Sequence, residues 1–274
     1  MKNKILSTYC KNEEFALFYL GQMGFIVKHR EKYLLIDGYL SDYVDTHCSN
    51  ALVKWERSYP APISPKALDF IDAVFCTHAH FDHADPETIG GLLSVNQKAI
   101  FYVGGALLNT LLSYGVPRAR IVVLPENSTV TLWEDVSVRA IPAAHETLLR
   151  DENGNALTVG FRFTLGENSL FHAGDGCPYE GLSSLIGKTD IVILPINGRD
   201  AHRTQVLDII GCFHPEEAVS LSKSIGARLT VPAHFDLYRV NGADPDYFAS
   251  CHDSIYPEGA YHIFAPGDEL ILPC

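Results

Sequence analysis

Long apolar runs are missing from this chain, and their absence sets the first limits. No stretch is long enough for a membrane span, and the opening Met1-Lys2-Asn3-Lys4 is not followed by the apolar segment of a secretion signal. Cysteine pairs at CxxC spacing are also missing. Seven cysteines, an odd number, are scattered from Cys10 to Cys274, which reads as free thiols in a reducing compartment rather than a disulfide framework. A cytoplasmic protein is the expectation, with Cys76 and Cys177 serving as small buried apolar side chains. Positive charge is scarce as well: 21 Lys and Arg against 33 Asp and Glu leave a formal net charge of -12. That balance argues against a broad phosphate-tracking surface, and so against nucleic acid as a partner, while leaving room for a local basic pocket and a small anionic substrate. Low-complexity segments and short repeats are absent. The composition, 47% hydrophobic and 20% charged over 274 residues, supplies ample core for one soluble domain spanning 1-274, with a homo-oligomer left open.

What the chain does have is Thr77-His78-Ala79-His80-Phe81-Asp82-His83. Three imidazoles and a carboxylate this close are expensive to explain by packing and natural as metal ligands. The preceding Ile71-Asp72-Ala73-Val74-Phe75-Cys76 is apolar enough for a buried strand. Asp85-Pro86-Glu87-Thr88 then places a capping side chain and a first-turn proline at a helix start. The histidines therefore belong on a strand-to-helix loop, where ligands can converge from different directions. Two imidazoles at i, i+2 can reach one cation while Asp82 and His83 turn to a second. A dinuclear site needs further ligands, and His145, Asp175 and His234 each follow an apolar strand: Val136–Ile141, Ser169–Ala173 and Leu229–Pro232.

The organisation is two similar halves. A meander over Phe15–Leu20, Phe25–His29 and Tyr33–Asp37 leads to the strand that delivers the histidine loop. Strands near 136-141, 158-165, 169-173, 190-196 and 228-232 repeat the idea. Helical stretches are expected at about 86-95, 105-114 and 215-225. This pattern predicts an α/β fold of two mixed sheets packed face to face with helices outside, the ligands meeting along one edge.

The motif at 77-83, the His145 position, Phe171-His172-Ala173-Gly174-Asp175 and Val231-Pro232-Ala233-His234 resemble the ordered signature of the metallo-beta-lactamase superfamily, from about residue 15 onward. Within it, Tyr114–Val123, His214–Ala218 and Pro232–Asp236 are similar to the L-ascorbate-6-phosphate lactonase group. The resemblance implies a four-layer αββα sandwich. It gives His78, His80 and His145 to one metal and Asp82, His83 and His234 to the other, with Asp175 bridging. It also implies up to two divalent ions, Mn favoured and Zn or Fe compatible with nitrogen and oxygen donors. The activity implied is hydrolysis, a water activated between two cations opening the lactone of a small phosphorylated sugar acid, with Asp82 orienting that water or carrying its proton. A phosphodiesterase or nuclease using the same site is the second reading, and a non-catalytic protein binding an anionic metabolite is the third.

Two loops complete the expectations. Residues 38-66 are irregular and aromatic, either a lid over the metal edge or a surface excursion packed back on the body. His47 within them reads as a surface residue. The loop Asn197–Thr204 follows an apolar strand, and Arg199 and Arg203 in it could fork a phosphate or carboxylate, with His202 assisting. His214 reads as structural, and His172 as a hydrogen-bonded packing residue.

Overall fold

The structure, a computed structural model, describes residues 1–11 and 14–273. The first half gives β1 (Phe15–Gly21), β2 (Gly24–His29), β3 (Lys32–Ile36), β4 (Ala73–Cys76), β5 (Ile100–Val103) and β6 (Ile121–Val123). The second gives β7 (Thr129–Trp133), β8 (Val136–Ala143), β9 (Thr158–Leu165), β10 (Asn168–His172), β11 (Ile191–Pro195), β12 (Leu229–Ala233) and β13 (Ala260–Tyr261), before β14 (Glu269–Leu272) returns to the first sheet. The helices are α1 (Lys2–Ser7), α2 (Tyr43–His47), α3 (Pro86–Val95), α4 (Leu108–Ser113), α5 (Leu182–Ile186), α6 (Ala201–Val206), α7 (Pro215–Ser224) and α8 (Pro245–Ile255).

One sheet runs β14-β1-β2-β3-β4-β5-β6 and the other β13-β12-β11-β10-β9-β8-β7. In the first, β1 to β3 pair antiparallel and β3 to β6 parallel. In the second, β8 to β10 pair antiparallel and β10 to β13 parallel. The two halves thus share one wiring, with β14 and β7 as the extra antiparallel edges.

Both faces of each sheet are covered, which is why many strands read as nearly continuous apolar runs. The period of two still sorts them. Phe75, Val138, Phe161, Phe163, Ile193 and Val231 point between the sheets. Val74, Cys76 and Phe101 point outward under α1, α3 and α4, while Val192, Leu194 and Phe171 do so under α5, α7 and α8. Helix on sheet on sheet on helix is the four-layer sandwich expected from the sequence. Phe75 stacks edge-on against Phe163 and Phe161 of the facing sheet at 4.9 and 5.3 Å between centroids.

The parallel strands of each sheet end on one edge of the sandwich, and the loops there carry the chemistry. The start of α3 is as read from sequence: the Asp85 carboxylate accepts from the Glu87 and Thr88 amides, with Pro86 in the first turn. Two readings are corrected. The expected helix over 105-114 is a 3₁₀ turn (Gly105–Leu107) followed by α4, and the loop after β11 runs into α6, whose first turn is capped by the Asp200 side chain. The six described cysteines are free, with Cys76 and Cys177 buried. No helix among the described residues is long and apolar enough to cross a membrane.

Because Phe75 joins the sheets from within β4, just before the histidine loop, Phe75→Ala should cost about 3–5 kcal/mol, read as a lower midpoint in urea denaturation. Trimming the half-exposed Tyr247 to Ala should shift it by less than about 0.5 kcal/mol. Equal midpoints for both variants would refute this placement of the core.

Candidate metal centre

The histidine loop is pinned from beneath by a buried carboxylate. Asp37, following β3, accepts from the Thr77 amide at 2.8 Å, the Thr77 hydroxyl at 2.7 Å and His83 Nδ1 at 2.8 Å. β3 lies beside β4 in the sheet, so the carboxylate at the end of one strand meets the loop leaving the other. Gly174 lies against the same loop with φ +60°, and a Cβ there would meet the Thr77 side chain at 2.7 Å, so only glycine allows this approach.

On this base the expected side chains converge. One atom from each of His78, His80, His145 and Asp175 lies within 4.8 Å of the others, and Asp82, His83 and His234 form a second such group. Asp175 lies between the groups. One of its oxygens faces His83 Nε2 at 3.2 Å and His234 Nε2 at 3.3 Å, and the other faces His145 Nε2 at 3.6 Å and His78 Nε2 at 3.9 Å. Yet His78 Nε2, His83 Nε2 and Asp175 Oδ1 are buried without a hydrogen-bond partner. Buried polar atoms are normally paired, and a ring of nitrogen and carboxylate atoms aimed at shared points without bonding one another fits divalent cations. Among the described residues no cysteine belongs to either group.

The electrostatics differ across the site. Burial pushes the His78 imidazole well below its ordinary range, reinforced by the neighbouring rings of His83 and His80, and burial lowers His145 to about 4. These rings are neutral and free to donate a lone pair. Burial opposes charge on His83 and His234 as well, but Asp175 and Asp82 outweigh it and lift both, with Asp37 contributing at His83. Burial likewise opposes ionisation of Asp82 and Asp175, and the imidazoles of His83 and His234 outweigh it and hold both carboxylates ionised. A carboxylate field that favours protons on buried imidazoles favours a divalent cation in the same place.

Two contributors were not anticipated. Besides Asp37, Gln22 after β1 donates to Asp82 Oδ2 at 2.8 Å and lies 3.1 Å from His234 Nε2. Asp37 had a signal: a carboxylate after an apolar strand and before Gly38, the same form as Gly174-Asp175-Gly176. Gln22 had none, because its place depends on the His234 amide bonding its carbonyl at 2.9 Å across the two sheets. Gln22, Asp37 and His234 all hold positive φ (59°, 44° and 58°), so backbone strain is concentrated where these groups are aimed.

The cleft over the site has a main lobe of about 360 Å³, walled by Val44, Trp55, Phe81, Ile209 and Tyr238, with Asp208 and Asn241 at its polar side. Residues 38-66 do both things considered for them. Tyr39, Tyr43 and Trp55 pack with Tyr238 and Leu237 into a small aromatic core, and Val44, Cys48 and Trp55 from the same segment line the cleft. Tyr238 donates to Asp45 at 2.7 Å and meets Tyr39 hydroxyl to hydroxyl at 2.8 Å, fixing this wall. His47 is exposed and stacked on Tyr43. His172 is fully buried, its ring within 2.8 Å of the Met23 carbonyl, and His214 sits at the start of α7 in a capping box with Glu217.

The phosphate fork expected from Arg199, His202 and Arg203 is not formed. Arg199 makes a bidentate pair with Glu217 at 2.7 and 2.9 Å and a third bond to the Cys212 carbonyl at 2.7 Å. Arg203 folds back onto Asp200 and reaches Asn241 Oδ1 at 3.2 Å, while His202 is exposed on α6. None of the three lines the cleft. In a chain with excess carboxylates, each guanidinium has found an intramolecular partner.

Comparison with known proteins places the chain. An uncharacterized protein of Mycobacterium tuberculosis is 32% identical over 223 residues, covering 77% of this chain and 58% of the relative, so the chain spans under two thirds of that relative's length. A protein of Caldivirga maquilingensis named a metal-dependent hydrolase is 25% identical, over 94% of this chain and 98% of its own. Among solved structures, a metallo hydrolase of Ignicoccus hospitalis superposes with a TM-score of 0.72 at 18% identity, over 95% and 99% of the two chains. A possible metal-dependent hydrolase of Veillonella parvula reaches 0.75 at 14% identity, over 94% and 99%. These likenesses carry the fold. Residues 33–235, most of both sheets and all seven converging side chains, match the family model of the beta-lactamase superfamily domain, and the chain is a member of the metallo-beta-lactamase superfamily.

Proposed function

We propose that this protein is a metal-dependent hydrolase that opens a small lactone or comparable ester with a water activated at the His/Asp cluster. The observation that carries this reading is the convergence of seven side chains from four strand-end loops on two adjoining points, with buried ring and carboxylate atoms left unpaired. The names of relatives over nearly the full chain point the same way. His78, His80 and His145 would hold one cation, Asp82, His83 and His234 the other, with Asp175 shared. Bound there, such a pair polarises a carbonyl and brings the pKa of a water toward neutrality. The donors are nitrogen and oxygen only, which suits Mn, Zn or Fe.

The protein's own residues supply the rest. Asp82, held ionised and fixed by Gln22, accepts a hydrogen bond from the attacking water and orients it. Water oxygen adds to the carbonyl carbon, the ring C–O bond breaks, and the departing alkoxide takes the proton that water releases, giving a hydroxy acid. Asp37 fixes the His83 ring through Nδ1, leaving Nε2 for the cluster. Among the described residues no lysine or arginine lines the cleft, which supports an electrophile without a phosphate and weighs against both a phosphorylated sugar acid and a nucleic-acid backbone.

Elemental analysis after reconstitution with Mn or Zn should give up to two equivalents per chain, with anomalous scattering peaks among the seven side chains. Asp37→Asn, which alters the partner of Thr77 and of the His83 ring edge remote from the cluster without touching the cluster itself, should weaken metal retention about tenfold to a hundredfold. Absence of any peak in wild type would sink the proposal, and unchanged retention in Asp37→Asn would remove its positioning role.

Asp82→Asn and Asp175→Asn should each lower lactone hydrolysis by roughly a hundredfold or more in folded protein, the loss of several kcal/mol of transition-state stabilisation. Near wild-type turnover by a folded Asp175→Asn enzyme would contradict the shared-ligand role.

A further inference from the structure

Beyond His80 and His145 the cleft continues into a second lobe of about 300 Å³, lined by Ala106, Leu107, Ala143, Leu149 and Leu157. Ile210 lines both lobes, so the lobes meet over the candidate metal edge. The wall on one side is a short hairpin that begins at His145 itself, with bridges His145 to Thr147 and Arg150 to Ala156 and a bond from the Leu157 amide to the Leu149 carbonyl at 3.0 Å.

This hairpin is braced. At its tip the Asp151 carboxylate accepts from the Asn153 and Asn155 amides and the Asn155 side chain at 2.8–2.9 Å. At its flank Glu126 receives Arg150 at 3.0 Å and the Ala156 amide at 2.7 Å. It packs so closely on Gly105 that a Cβ there would overlap the Asn155 side chain. Across the lobe, Glu146 straps the Ile210 loop by accepting from the Thr204 hydroxyl at 3.1 Å and the Gly211 amide at 3.4 Å.

The effect of this bracing is to hold large apolar side chains out in water: Leu149 is 56% exposed, Leu157 42% and Ile210 40%. A flexible loop could fold such leucines away, whereas these are fixed at the mouth of a cavity that reaches the reacting edge. Contiguous apolar surface on rigid supports, continuous with a polar site, is the form of a binding lobe for an apolar group. Resting on the hydrolase reading above, we infer that the Leu149–Leu157 lobe binds an alkyl arm of the substrate, so that the preferred substrate class is alkyl-bearing lactones or esters.

The test uses metal-loaded full-length protein and the series from γ-butyrolactone to γ-decalactone. kcat/KM should rise about fourfold for each methylene buried until the lobe is filled. Leu149→Glu and Leu157→Glu, both at exposed positions that leave the fold intact by circular dichroism, should cut the ratio of kcat/KM for γ-decalactone over γ-butyrolactone by about tenfold or more. A second measurement needs no turnover: by calorimetry decanoate should bind at least about tenfold tighter than butyrate, and Leu157→Glu should erase the difference. If no lactone is hydrolysed but decanoate is still preferred through Leu157, the hydrolase reading fails and the apolar lobe stands. Equal binding of decanoate and butyrate, or a flat kcat/KM across the series, would overturn the lobe.

Discussion

Asp37 is a carboxylate with no exposure to water, and the histidine loop is organised by the need to satisfy it. A carboxylate out of water must have its lone pairs bonded, and here the donors are the Thr77 amide, the Thr77 hydroxyl and the His83 ring. Satisfying it fixes where the chain leaves β4, which edge of His83 faces the cluster, and how near Gly174 must pass. From that geometry Asp175 follows one residue on, set between His78, His83, His145 and His234. The charges at this edge then support one another: the carboxylates would be costly to bury without the imidazoles, and the raised imidazoles costly without the carboxylates.

The shared wiring of the two halves explains why the groups meet. Asp37 follows β3 and Asp175 follows β10, the same strand in each half; His78 follows β4, and His234 follows β12, one strand further along in the second. All leave the carboxyl ends of parallel strands, where open sheets place their ligands. Packing the sheets face to face brings the two sets of loops onto one edge. Strain is accepted there, in the left-handed backbone of Gln22, Asp37 and His234, because the sheets beneath hold it.

Much of this was legible in the sequence because it depends on local signals. Apolar strands ending in His or Asp identified His78 to His83, His145, Asp175 and His234, and the capped Asp85-Pro86 start identified α3. Asp37 carried the same strand-end signal but stood alone, without a neighbouring histidine to draw attention. Gln22 could not be read at all, since an amide is informative only once the opposite sheet places it. The intramolecular partners of Arg199 and Arg203 were hidden for the complementary reason. The position of the two arginines after β11 is local, but the carboxylates that occupy them depend on the turn into α6 and on Glu217 folding back from α7. Which charges remain available to a ligand is a property of the packed molecule.

The braced leucines have a colloidal consequence. A fixed rim carrying Leu148, Leu149, Leu157 and, nearby, Val206 and Ile210 at 39% exposure or more is adhesive toward any similar surface. It cannot relax inward to hide. Long-range repulsion from the net charge of -12 acts against such encounters, and it fades as pH falls toward the isoelectric point near 5.4 or as salt screens it. The acidity that at first only weighed against nucleic acid therefore also bears on how concentrated this protein can be before its open clefts meet.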